Sequence, residues 1–152
     1  MSFARPVNRW QIRGRSNSNT FGMVRHYANG NPKPHQGWDF AAATGDPCFA
    51  VADGTVAFTA VQGDYGGQIC LQFQKGAQTL YAFYAHLQFL YAYQGMRVER
   101  GLPIGTVGKS GNAWNQPESE RHLHFEVRTI ARPGLGLGGR LSPMVLFGPP
   151  PL

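Results

Sequence analysis

Glycine and proline punctuate this chain so often that no long regular helix fits between them. Of the 152 residues, 20 are Gly and 11 are Pro, and only 14% are charged. The fixed φ of proline and the open turns of glycine both interrupt helices, whereas a strand needs only a few residues between turns. On this basis residues 49–52, 55–61, 69–74, 79–87, 97–99, 104–107 and 123–129 read as strands. Within 69–74, Ile69, Leu71 and Phe73 alternate with Cys70, Gln72 and Gln74, the period of a strand with one buried face. Asp53-Gly54 is a strong hairpin signal, Gly63-Asp64-Tyr65-Gly66-Gly67 makes the next turn, and Lys75-Gly76 another. The expected fold is all-β, a mostly antiparallel, sandwich-like sheet with few or no helices.

This length suffices to close one hydrophobic core without metal or disulfide staples. Neither an internal repeat nor a linker divides the sequence, so one domain is expected over residues 1–152. Its core should run from about 20 to 147, with residues 1–19 as an N-terminal arm and 148–152 as a tail. Residues 1–34 read as an extended lead-in carrying one short apolar segment at 20–24. Residues 108–121 read as a loop, and 144–147 as a last apolar anchor before Pro149-Pro150-Pro151.

The formal net charge is +6, with Arg5, Arg9, Arg13, Arg15 and Arg25 near the N-terminus. A basic surface attracts polyanions of any kind. The sequence has no recognition helix, RNP-like strand or dense Lys/Arg run, which argues against nucleic acid as a partner. These arginines, spread among Asn, Ser and Gly, read as a solvated basic face. Cys48 and Cys70 fit no zinc knuckle or redox pair; they form either one disulfide or, as free cysteines more often do, two buried thiols. The first residues lack the apolar stretch of a signal peptide, and no run of about 18 apolar residues occurs. The expectation is no membrane span and no export signal of the chain's own.

The chemistry-bearing residues cluster in three places. In His122-Leu123-His124-Phe125-Glu126, a strand would put both histidines and Glu126 on one face and the apolar pair on the other. At about 3.3 Å per residue, the two imidazoles stand roughly 6–7 Å apart at their backbones. Alone, the pair reads equally well as two surface histidines. In His35-Gln36-Gly37-Trp38-Asp39, the preceding Pro32 and Pro34 and the internal Gly37 argue against a helix. Extended, the segment turns His35, Gly37 and Asp39 to one side, with Gly37 leaving room for an ion and Trp38 and Phe40 pointing into the core. His35, Asp39 and an imidazole of the strand pair make a three-ligand set that leaves zinc an open position, and the donor types suit zinc better than magnesium or calcium. His86 ends the aromatic run Tyr81-Ala82-Phe83-Tyr84-Ala85 and reads either as delivered to a cleft rim or as hydrogen-bonded at the core edge. His26 reads as a surface residue.

Taken in order, His35-x-Gly37-x-Asp39, Tyr84-Ala85-His86-Leu87 and His122-Leu123-His124-Phe125-Glu126 resemble the M23 metallopeptidases, the lysostaphin-type or LytM-like family. The resemblance extends over residues 5–147. It includes Thr20-Phe21-Gly22-Met23-Val24-Arg25, Ala50-Val51-Ala52-Asp53-Gly54-Thr55-Val56, Tyr65-Gly66-Gly67 and Gly101-Leu102-Pro103-Ile104-Gly105-Thr106-Val107-Gly108-Lys109-Ser110-Gly111. It implies Zn2+ held by His35, Asp39 and His124, with His86 and His122 as catalytic histidines that orient water, relay its proton and stabilise the oxyanion. It also implies a sheet with a substrate groove, and peptidoglycan cross-link peptides as substrate. Glu126 would be either a partner of the strand histidines or part of a structural salt bridge. Two stretches depart from the family pattern, residues 26–34 and the loop 112–121 with Trp114 and Pro117.

The leading expectation is a zinc endopeptidase acting on cell wall, working as a monomer without nucleic acid. The alternatives are a catalytically silent M23-like module that binds wall or regulates another hydrolase, and an amidase cutting the sugar–peptide bond. Delivery to the periplasm or cell wall would then use a secretion apparatus, phage lysis, or a leader outside this sequence. An effector role would add an immunity or inhibitor protein as partner.

Overall fold

The computed structural model describes residues 2–152. Strands β1 (Gly22–His26) and β2 (Pro32–His35) form a hairpin of their own, so the departure at 26–34 is the turn and second arm of a β-ribbon. The main sheet holds β3 (Trp38–Ala41), β4 (Pro47–Phe49), β5 (Gly54–Gln62), β6 (Gly66–Lys75), β7 (Gln78–Leu90), β8 (Arg97–Val98), β9 (Pro103–Val107), β10 (His122–Arg128) and β11 (Arg140–Leu141). Every pairing is antiparallel. The sheet runs β11-β10-β7-β6-β5-β8, with β3 also on β10, β9 on β7 and β4 on β9. Among the described residues the one α-helix is α1 (Met144–Phe147); short 3-10 turns make up the remaining helical structure. The all-β, mostly antiparallel expectation holds, and among the described residues no closed barrel forms.

The core lies under β10, β7 and β6, where Trp38, Phe40, Leu71, Phe73, Tyr84, Leu123 and Phe125 are buried together. Leu123 and Phe125 alternate inward along β10, as a strand's period of two requires. Tyr84 keeps its hydroxyl satisfied at this depth: it donates to the Phe49 carbonyl at 2.9 Å and accepts from the Val51 amide at 3.1 Å. Cys48 and Cys70 are both free and buried, and burial pushes each thiol up to about 12, so the two-thiol reading holds.

Two sequence expectations need correction. Asp53-Gly54 does not join a hairpin, because residues on either side bond elsewhere. Ala50 exchanges backbone bonds with Gly101 and Leu102, β4 lies on β9, and β5 takes β6 and β8 as neighbours. The Asp53 carboxylate accepts from the Arg100 amide, which ties the turn to that same loop. The described part of the N-terminal arm, residues 2–19, is also more than an arm. Val7 and Ile12 are buried in the core, and Trp10 stacks on Phe40 with ring centroids 5.1 Å apart. The Ile12 amide donates to the Pro151 carbonyl at 2.8 Å, and the Gln11 carbonyl accepts from Ala41 at 2.9 Å. A single buried isoleucine among turn-forming residues has no periodicity, which is why the sequence conceals this packing.

The depth of Ile12 generates a direct expectation. Ile12→Ala should destabilise the protein by about 2–5 kcal/mol, the usual cost of emptying a fully buried aliphatic site. Urea unfolding checks it, and a loss within the scatter of surface substitutions would show that the segment is not part of the core.

Candidate metal and catalytic site

The site is assembled by the register of β10. Its His124 lies opposite Asp39 of β3 on one side and Ala85 of β7 on the other. Antiparallel neighbours place opposing side chains within reach of one another. The His124 Nδ1 stands 2.8 Å from the Asp39 Oδ1, and the His35 Nε2 stands 3.3 Å from that oxygen. His35, Asp39 and His124 each offer a ligand atom, all within 4.8 Å of one another, and all three residues are buried.

Each of these side chains is fixed from behind. The His35 Nδ1–H donates to the Thr20 carbonyl at 2.7 Å, which turns Nε2 toward the site. The His124 Nε2–H donates to the Glu126 Oε2 at 2.8 Å, leaving Nδ1 to face Asp39. A second carboxylate behind a ligating imidazole fixes its tautomer and raises its basicity. Two imidazole nitrogens and one carboxylate oxygen, with their remaining polar atoms already engaged, form a donor set that fits a zinc-type ion. Glu126 is therefore both of the things the sequence left open. It bonds His124 with one oxygen, and its Oε1 accepts from Arg128 at 2.8 Å and Arg140 at 2.6 Å.

Gly37 serves a different purpose from the one expected of it. A Cβ there would sit 2.1 Å from the Phe125 carbonyl oxygen. The missing side chain makes room for the β10 backbone, not for an ion.

His86 does not end its strand. It sits inside β7 where the strand changes partner: Ala85 faces His124 of β10, while Leu87 faces Val107 of β9. Its φ of 62° is uncommon for any residue but glycine. Two backbone bonds hold it there, from its own amide to Tyr65 at 2.8 Å and from Gly108 to its carbonyl at 3.0 Å. The His86 Nδ1–H donates to the Ser110 carbonyl at 2.8 Å, and the His122 Nδ1–H to the Glu120 carbonyl at 3.0 Å. Both rings thus turn Nε2 into the site, with centroids 5.3 Å apart. The His122 Nε2 comes within 3.9 Å of the Asp39 Oδ1.

The charges around the site are strongly biased. Burial pushes the Asp39 carboxyl up, but His122 nearby and hydrogen bonds from His124 and His35 hold it well below the usual carboxylate range. Burial would likewise lower His124, yet its bonds to Asp39 and Glu126 raise it to about 9 in the metal-free protein. Burial also opposes ionisation of Glu126, and His124, Arg128 and Arg140 still bring it down to about 2. His86 goes the other way. Burial and then the neighbouring His124 and His122 lower it to about 4, and His122 is lowered too, chiefly by burial. At neutral pH the pair His86 and His122 is uncharged.

All five residues singled out from sequence converge on one groove of about 790 Å³. Its walls include Tyr27, Lys33 and Pro34 of the β-ribbon, Asn112 and Gln116 of the loop before β10, and Leu135 and Gly136 after it. Both departures from the family pattern therefore border the site. Arg13 and Arg25 are not the solvated residues that the sequence suggests; each lines the groove and donates to the Asp39 Oδ2, at 3.0 and 3.1 Å. No local spacing points from either arginine to Asp39. Arg128 was findable, since it follows Glu126 by two on the same strand face. Tyr65, whose ring stacks on His124, carries in the sequence a turn signature and a place in the family resemblance but no sign of this contact.

Comparison with known proteins gives one consistent result. Residues 33–134 match the sequence profile of peptidase family M23. The chain is 35% identical over 116 residues to the DD-carboxypeptidase/endopeptidase Mpg of Neisseria meningitidis, covering 76% of this chain and 25% of that protein. It is 32% identical over 100 residues to the peptidoglycan DD-endopeptidase ShyA of Vibrio cholerae, covering 66% of this chain and 21% of ShyA. A zinc-containing peptidase from Vibrio cholerae superposes with a TM-score of 0.61 at 27% identity, over 81% of this chain and 36% of that one. The chain thus spans a quarter or less of the length of these two sequence relatives.

Histidine NMR titration of the metal-free protein tests this electrostatic arrangement. His124 should stay protonated up to about pH 9 and His86 stay neutral down to about pH 4. If both titrate near 6.5, the ordinary histidine value, the buried couplings described above do not operate.

Proposed function

The chain belongs to peptidase family M23, and from that premise we propose that it is a zinc-dependent endopeptidase cutting the cross-link peptides of bacterial peptidoglycan. The observation that carries this reading is the convergence of the His35, Asp39 and His124 donor atoms within 4.8 Å, with the His86 and His122 rings alongside. The names DD-carboxypeptidase/endopeptidase for Mpg and peptidoglycan DD-endopeptidase for ShyA support peptidoglycan peptides as the target. The substrate lies in the cell envelope, so the proposal has the protein act there.

In this proposal His35 Nε2, Asp39 Oδ1 and His124 Nδ1 hold the ion. When bound, zinc supplies Lewis acidity, polarising the scissile carbonyl and acidifying water. In this reading an extended peptide lies in the groove, which is lined by Tyr27, Lys33 and Pro34 of the β-ribbon and by Leu135 and Gly136. His86 and His122 then manage the proton. Their Nδ1–H groups are committed to backbone carbonyls, so each presents an unprotonated Nε2 to the groove. Depressed basicity keeps both in that form at neutral pH, ready to accept. One Nε2 takes a proton from the attacking water as its oxygen bonds to the carbonyl carbon. The resulting imidazolium donates a hydrogen bond to the developing oxyanion and then passes its proton to the leaving amine as the C–N bond breaks. Neither imidazole is consumed, and the products are a carboxylic acid and an amine.

Incubation with zinc and purified cross-linked muropeptides, read by mass spectrometry, tests the proposal. Cross-linked dimers should become monomers, and a chelator should stop the reaction. His86→Ala and His122→Ala should each lose about 10²–10⁴ in kcat while still binding zinc. Release of intact stem peptides from the sugar would indicate an amidase instead. Unchanged muropeptides with a zinc-loaded parent protein would leave a binding module.

A further inference from the structure

The two oxygens of Asp39 have different partners. Oδ1 looks into the groove, toward His35, His124 and His122. Oδ2 instead accepts from the Nη2 atoms of both Arg13 and Arg25, which also line the groove. Those guanidiniums are themselves tied. Each donates to the Asn19 Oδ1 at 2.8 Å, the Asn19 amide returns a bond to the Arg13 carbonyl at 2.8 Å, and the Arg25 Nε donates to the Ser18 carbonyl at 2.7 Å. Asn19 and Asp39 are buried, and the Arg13 side chain is only 13% exposed. Two like charges are thus brought onto one carboxylate oxygen, an arrangement that needs a compensating purpose or a strong framework to persist.

A carboxylate free at both oxygens can bind a metal through one or through both. Two charge-assisted hydrogen bonds on Oδ2 engage its lone pairs and fix the plane of the group. Only Oδ1 then remains to donate toward the groove. Building on the zinc reading above, we propose that Arg13 and Arg25 are positioning residues that hold Asp39 as a one-oxygen metal ligand. The clamp keeps the coordination position that a second carboxylate oxygen would fill free for water and substrate. It also makes the segment before β1 part of the site: Arg13 lies in one of its 3-10 turns and Asn19 in the next.

Arg13 and Arg25 also line the groove, so the test reads the metal's coordination, which a contact with substrate would not change, as well as turnover. The full-length parent, Arg13→Gln, Arg25→Gln and the double variant are each loaded with cobalt(II) in place of zinc. Their visible absorption per bound cobalt is then compared. Cobalt absorbs more strongly in a four-coordinate tetrahedral site than in a five-coordinate one. The parent should show strong bands; either Gln variant should lose intensity as Oδ2 is released to chelate, and the double variant should lose most. Where a Gln variant fails to fold, Asn19→Ala carries the test. It keeps both charges but loosens both arginines, and its bands should also weaken. Bands identical to the parent's in a folded variant would overturn the clamp and leave the arginines a structural role. A parent that takes up neither zinc nor cobalt would instead sink the zinc reading on which the clamp rests, an outcome distinct from the first.

Discussion

Everything in the site follows from where β10 lies, between β3 and β7, with His124 in register with Asp39 and Ala85. An antiparallel ladder leaves no freedom in this respect. A slip of one residue would turn His122, His124 and Glu126 into the core and expose Leu123 and Phe125. The apolar face of β10 therefore does the selecting: burying Leu123 and Phe125 against Phe40, Trp38 and Tyr84 fixes the face on which the imidazoles stand. Gly37 belongs to the same constraint, since any side chain there would strike the β10 backbone. Precise placement of the polar residues is thus a product of hydrophobic packing on the other side of the sheet.

The second constraint is charge. Two carboxylates, Asp39 and Glu126, are buried at this point, and each is met by a pair of arginines as well as by imidazole. Removing either carboxylate from water without partners would cost several kcal/mol. The arginines offset that cost and orient the groups by taking the oxygens that the imidazoles leave. Arg128 also lies over the Phe83 ring at 3.5 Å, so it is packed as well as paired. The inner oxygens, Asp39 Oδ1 and Glu126 Oε2, are left to the imidazoles. An anionic pair held this way raises His124, while burial depresses His86 and His122, so neighbouring histidines are set to opposite protonation states by their surroundings.

Much of this was legible in the sequence because its signals are local. The alternation in residues 122–126 and the turn residues between strands report directly on side-chain direction and chain reversal. They gave the antiparallel β fold and the shared face of His122, His124 and Glu126, whereas the grouping of His35, Asp39, His86, His122 and His124 came from the resemblance to the M23 peptidases. What stayed hidden is non-local or conformational. Ile12 reaches the core, and Arg13 and Arg25 reach Asp39, through contacts whose sequence separation no pattern encodes. The left-handed backbone of His86 is imposed by strands that pull β7 in two directions. Asp53-Gly54 had the composition of a hairpin but not its neighbours, since Ala50 had already bonded to Gly101 and Leu102.

Anomalous X-ray scattering at the zinc absorption edge, from crystals of the zinc-loaded protein, tests the account at its centre. One peak is expected in the groove, bonded to the His35 Nε2, the Asp39 Oδ1 and the His124 Nδ1, with the imidazoles of His86 and His122 beside it but not bonded. A peak ligated by His86 or His122, or bound by both oxygens of Asp39, or lying outside the groove, would contradict it.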